Sequence, residues 1–129
     1  MTISEKDSLY NWHPYTQHKI YSHFPAIVKG KDEFLWDENG KQYIDAIASW
    51  WVNPFGHSNT FIADAIYKQL TTLEHVLFGG FTHNVVVELA EKLVEILPSN
   101  QRKFFYSDNG STAVEVAIKA SFQFHYNKG

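Results

Sequence analysis

Apolar and polar residues change period several times along the chain, and the changes divide it into elements. From Ala26 to Ala48 the apolar residues come in short β-favouring runs. Ile27 and Val28 precede Gly30, Phe34-Leu35-Trp36 precedes the turn sequence Asp37-Glu38-Asn39-Gly40, and Gln42-Tyr43-Ile44-Asp45 returns. This pattern predicts a small antiparallel meander containing one hairpin. Over residues 59–71 the period becomes helical: Phe61, Ile62, Ala65, Ile66 and Leu70 share a face, with Asn59 or Thr60 as cap. A second helix is predicted from about Asn84 to Leu97, burying Val86, Leu89, Ala90, Leu93, Val94 and Leu97, and Pro98 stops it. Between these helices Phe78-Gly79-Gly80-Phe81-Thr82-His83 reads as a loop, because paired glycines favour flexibility or close approach over helix.

The last pattern is the most informative. Phe104, Phe105 and Tyr106 form a short aromatic run suited to a buried strand. Ser107-Asp108-Asn109-Gly110 is a turn, and Ala113, Val114, Ala117 and Ile118 give the apolar stripe of a helix. The helix therefore starts at the carboxyl end of a strand. Its first N–H groups have no partners within the helix, and its dipole is positive there. Gly110 followed by Ser111 and Thr112 lets an anion approach and offers it backbone and hydroxyl donors, the makings of a phosphate cup. Thr112 with Glu115 also fits a capping box, which needs no ligand. A strand and helix at this point make the first half of a βαβ unit, so the expected fold class is α/β. The chain reads as unfinished, since nothing after Gly129 supplies the neighbours that a parallel strand needs.

Near the start, residues 1–9 fit a tail or a short helix. Trp12-His13-Pro14-Tyr15-Thr16-Gln17 fits a loop pinned by its rings or a piece of pocket wall. Ser49 to His57, SWWVNPFGH, is unusual for a loop. Adjacent side chains of an extended chain point opposite ways, so Trp50 and Trp51 cannot both face one core. One of them lines a cavity or an interface, unless both are half-buried core rings.

Composition narrows the chemistry further. The chain has 129 residues, 44% hydrophobic and 16% aromatic, enough apolar content for a globular core. A formal net charge of −3 gives no electrostatic reason to expect nucleic acid or anionic membrane as partner. With no cysteine there is no disulfide framework, thiolate nucleophile or cysteine-ligated zinc. The polar start MTISEKDSLYNW is unlike a signal peptide and no 18-residue apolar span occurs, so a soluble cytoplasmic protein is expected. The seven histidines form no H-E-x-x-H cluster, and Asp45 and Asp108 lie too far apart in sequence to mark an acid–base pair. Neither G-x-x-x-x-G-K-[ST], G-x-G-x-x-G nor G-x-S-x-G is present, which argues against a nucleoside triphosphatase, a dinucleotide fold and a serine hydrolase.

Three segments carry a resemblance: HPYTQ at His13–Gln17, SWWVNPFGH at Ser49–His57 and FGGFTH at Phe78–His83. With the cup SDNGSTAVEVAIK, shared more loosely, they resemble the class III aminotransferases of the fold-type I pyridoxal-phosphate enzymes, over about the first third of such an enzyme. The resemblance implies an N-terminal segment with the meander at 1–58 and the incomplete start of a cofactor-binding domain at 59–129. It implies pyridoxal 5'-phosphate as cofactor, with Gly110 and Ser111 holding its phosphate. Trp50 would line the amino-acceptor pocket and Tyr15 would stand at its mouth. The narrower likeness is to the adenosylmethionine-dependent branch in biotin biosynthesis. There S-adenosylmethionine gives its amino group to 8-amino-7-oxononanoate, yielding 7,8-diaminononanoate. A homodimer is implied too, with Phe78–His83 near the subunit boundary. The Schiff-base lysine, the aspartate that pairs with the pyridine nitrogen and the ring-stacking aromatic have no counterpart here, so this stretch alone is expected to be inactive. Two other readings stay open: a non-enzymatic interaction module, and a class III aminotransferase using an ordinary amino acid donor.

Overall fold

A computed structural model describes residues 1–21 and 23–129. The chain divides into two compact units, Met1–Glu74 and His75–Gly129. The first opens with helix α1 (Ile3–Tyr10), whose Thr2 hydroxyl accepts the Glu5 N–H while the Glu5 carboxylate accepts the Thr2 N–H. This reciprocal cap satisfies two donors that a helix start otherwise leaves bare.

The meander follows as strands β1 (Ile27–Lys31), β2 (Phe34–Asp37) and β3 (Gln42–Ile44), antiparallel in the order β1-β2-β3. Two tight turns join them. The first is Asp32-Glu33, with Asp32 at φ 52°, a turn that the sequence pattern does not announce. The second is the predicted DENG turn, built on Asp37. Its Oδ1 accepts the Asn39 and Lys41 N–H groups and its Oδ2 accepts the Tyr43 hydroxyl. Asp37 is the one residue buried as a whole among the described residues. The Tyr43 hydroxyl is the main reason its carboxyl is held below the ordinary range.

After β3 the backbone makes one turn labelled α2 (Ala48–Trp51), and this turn is left-handed. Ala48, Ser49, Trp50 and Trp51 have φ of 48°, 48°, 64° and 68°. Left-handed backbone costs an L-residue about 1–2 kcal/mol, so a run of four without glycine needs strong local support. Helix α3 (Thr60–Leu70) completes the unit, with the Asn59 side chain accepting the Ile62 N–H as its cap.

The second unit contains α4 (Asn84–Ile96), capped by His83, and α5 (Gly110–Lys128), capped by Asn109. The expected apolar stripe of α4 forms on one side, yet Leu89 and Val94 remain 45% and 42% exposed. The predicted burial of that stripe is therefore not achieved among the described residues. Residues 101–107 form no strand. A strand exists only as half of a pairing, and among the described residues no second segment pairs with this one to complete a ladder. Phe105 is accordingly 77% exposed, not buried as its pattern suggests.

Candidate functional site

The first unit brings together two residues that are far apart in sequence. The Tyr15 and Trp50 rings lie 5.8 Å apart between centroids, tilted by 59°. Both are exposed, at 94% and 59%, and Trp51 is exposed as well. The reading of Trp50 and Trp51 as half-buried core rings therefore fails. Both members of the ring pair have left-handed backbone, Tyr15 at φ 53° and Trp50 at φ 64°. Such conformations persist where the surroundings over-determine them, and they concentrate at ligand sites.

On the Tyr15 side the support is a set of bonds to His13. Its Nε2 is 2.7 Å from Asp7 Oδ2, its backbone N–H donates to His18 Nε2, and its ring packs on Phe24 at 4.3 Å. The Thr16 hydroxyl donates to the Pro14 carbonyl across the same bend. Asn11 first and His13 second hold the Asp7 carboxyl below its ordinary range. Tyr15 thus projects from a loop tied down on either side.

The Trp50 side rests on Asp45, which leaves β3 just before the left-handed turn. Its Oδ2 accepts the Ser49 hydroxyl at 2.6 Å and lies 2.8 Å from His57 Nε2. The two side chains are nearly enclosed, at 7% exposure for Asp45 and 14% for His57. The Ser49 hydroxyl, the Ser49 backbone and then His57 bring the Asp45 carboxyl down to about 2. His57 is itself fixed to the meander. Its N–H and carbonyl exchange hydrogen bonds with Asp32, and its ring lies against Gly30, where an added Cβ would stand 2.9 Å from His57 Cβ and Cγ. The Ser58 hydroxyl closes the frame by donating to the Gly30 carbonyl. A hollow of about 320 Å³ beside these residues has Asp32, Glu33 and Asp45 in its walls. Three carboxylates make it a poor host for a phosphate.

The second unit supplies the predicted cup. Asn109 accepts the Thr112 N–H at 3.0 Å, and the Thr112 hydroxyl lies 3.4 Å from the Asn109 N–H. The capping box is therefore Asn109 with Thr112, not Thr112 with Glu115. Glu115 instead pairs with Lys119 one turn on, at 2.7 Å. This cap takes one donor and leaves others: the N–H groups of Gly110 and Ser111 and the Ser111 hydroxyl have no partner among the described residues. No atom comes within 4 Å of where a Gly110 Cβ would sit, so the approach is open. Asp108 places an opposing charge beside the cup. Its carboxylate is held low chiefly by the Thr112 hydroxyl and is also bonded by the Asn109 amide. Asp108 stays ionised, so the fit to a phosphate group rests on the Gly110 and Ser111 donors at the positive end of the helix.

Sequence reasoning missed the Asp45–His57 pair altogether. The residues are twelve apart, across a left-handed turn that no glycine announces, and neither belongs to a recognisable ligand motif.

Residues 15–129 match the family "Aminotransferase class-III". The adenosylmethionine-8-amino-7-oxononanoate aminotransferase of Staphylococcus aureus is 49% identical over 127 residues, which is 97% of this chain and 28% of that protein. The crystal structure of the Methanocaldococcus jannaschii protein of the same name superposes with a TM-score of 0.90 at 40% identity, over 98% of this chain and 30% of that one. The ω-transaminase of Pseudomonas jessenii, solved in complex with PMP, superposes with a TM-score of 0.82 at 35% identity, over 92% of this chain and 27% of that one. The chain thus spans about 28% of the length of the curated relatives it matches.

Proposed function

Since the chain belongs to the class III aminotransferase family, with the fold of the matching part of fold-type I enzymes, we propose that it forms part of an enzyme that transfers the amino group of S-adenosylmethionine to 8-amino-7-oxononanoate. The product would be 7,8-diaminononanoate, in biotin biosynthesis, and the whole enzyme a homodimer. Class III aminotransferases depend on pyridoxal phosphate, which when bound supplies the electron sink for amino transfer.

Gly110 and Ser111 bind the phosphate of that cofactor. The free N–H groups at the positive end of α5 and the Ser111 hydroxyl support this assignment. Trp50 and Tyr15 line the acceptor pocket. The observation that carries this reading is their ring pair, held 5.8 Å apart on two left-handed segments and open to solvent. Two flat faces grip the aliphatic chain of the acceptor and exclude water, while the Tyr15 hydroxyl remains free to bond a polar end.

The test is made on the full-length protein with its cofactor. S-adenosylmethionine and 8-amino-7-oxononanoate together should give diaminononanoate, and Tyr15→Phe should slow the acceptor half-reaction with the melting temperature nearly unchanged. Turnover with an ordinary amino acid donor but none with adenosylmethionine would transfer the chain to another branch of the family. Loss of several degrees with normal kinetics would return Tyr15 to a structural role.

A further inference from the structure

Four consecutive left-handed residues, none of them glycine, would ordinarily relax to right-handed or extended backbone. Two kinds of bond oppose this. The main-chain bonds Trp51 N–H to Ile47 carbonyl and Asn53 N–H to Ala48 carbonyl close the turn on itself. A third, from the Ala48 N–H to the Asp45 carbonyl, ties only the first residue of the turn to the chain leaving β3. The side-chain bonds are different, because they fix the turn to the meander: Ser49 to Asp45, Asp45 to His57, and His57 to the β1 end through Asp32 and Gly30. Trp50 follows Ser49 directly, so the direction of its ring is set by where Ser49 is anchored.

We propose that Asp45 and His57 are positioning residues for the acceptor pocket: through Ser49 they lock the left-handed turn in the one orientation that presents Trp50 to Tyr15. This rests on the reading of Trp50 and Tyr15 as pocket walls. Neither Asp45 nor His57 need touch substrate. The arrangement suits a positioning role, because an ionised carboxylate with two donors on a single oxygen has a narrow choice of geometry. The carboxyl of Asp45 stays charged down to about 2, so the anchor is present throughout the range in which an enzyme works. The enclosure of the pair also keeps water from competing for those bonds.

The experiment is a kinetic cycle in the full-length holoenzyme with 8-amino-7-oxononanoate as varied substrate. Asp45→Asn, Ser49→Ala and Trp50→Ala are made singly, and each of the first two is combined with Trp50→Ala. Ser49 is exposed and loses a single bond, so Ser49→Ala keeps the test alive if Asp45→Asn does not fold. The expected result is an acceptor KM raised about tenfold by Asp45→Asn and severalfold by Ser49→Ala, with kcat little changed. In the Trp50→Ala background the same changes should add less than about twofold, since the ring they aim is gone. Effects that multiply fully with Trp50→Ala, or lowered melting temperatures with wild-type KM, overturn the positioning role and leave the pocket reading intact. A wild-type KM in Trp50→Ala itself overturns the pocket reading, and the positioning role with it.

Discussion

Gly30→Ala tests the frame behind Trp50 with a single methyl group. Gly30 lies in β1 and its φ is not positive, so alanine meets no backbone strain there. In a strand interior such a change ordinarily gains about 0.5–1 kcal/mol, because alanine has less unfolded freedom to lose. Here the new Cβ stands 2.9 Å from both Cβ and Cγ of His57, where ordinary contact begins at 3.4 Å. One side must therefore retreat by at least 0.5 Å. His57 cannot do so freely, because its backbone is bonded to Asp32 on both sides and its ring is 2.8 Å from Asp45. Overpacking of this kind costs about 1–3 kcal/mol, which outweighs the entropic gain. With a urea slope near 2 kcal/mol per molar, a net loss of about 1 kcal/mol lowers the unfolding midpoint by about 0.5 M. The assay is urea unfolding of the full-length protein with and without the substitution, beside the same pair in a His57→Gly background. Removing the ring should abolish the clash, so Gly30→Ala should there become neutral or stabilising. Equal or greater stability of Gly30→Ala in the wild-type background would refute the reasoning, because the ring would have had room to move.

Further expectations follow from the same geometry. Ser111→Asp sets a carboxylate against the phosphate and removes a hydroxyl donor, so cofactor affinity should fall at least about tenfold, read by titrating the visible absorption of the holoenzyme. Ala48→Gly, at φ 48°, relieves one left-handed residue and should raise stability by up to about 1 kcal/mol in urea unfolding, with Trp50 still in place. Because the Asp45 carboxyl is lowered in the fold to about 2, its contribution is fully present above the unfolded value near 4 and is lost as pH falls from there through 2. Acid unfolding of the wild type should therefore show a larger loss in that window than Asp45→Asn, which keeps only the contributions of carboxylates such as Asp7, Asp37 and Asp108.

Helix and turn boundaries were legible because their causes are local. Asn59 caps α3 through a bond three residues long, Pro98 follows the end of α4, and Asp37 closes its turn within six residues, whereas the cap of α5 is Asn109 and not the expected Thr112–Glu115 pair. Side-chain period and cap chemistry carry that information in any context. The donors of Gly110 and Ser111 were legible for the same reason, since a helix start leaves its first N–H groups bare whatever else the chain does. Tyr15 and Trp50 were brought together by the family resemblance and not by local pattern, and their rings do lie 5.8 Å apart.

What no local pattern could supply is the hand of the backbone from Ala48 to Trp51. Alanine, serine and tryptophan all prefer right-handed or extended conformations, and the preference is overridden by main-chain bonds within the turn together with the bonds to Asp45 and, through it, to His57. The same holds for the run Phe104–Tyr106, whose β propensity yields no strand among the described residues because a ladder needs a second chain segment. Sequence determined which residues could cap, turn and stack. Tertiary contacts decided which of them meet, because a 2.8 Å bond across twelve residues depends on where the intervening chain has been carried, and propensity has no access to that.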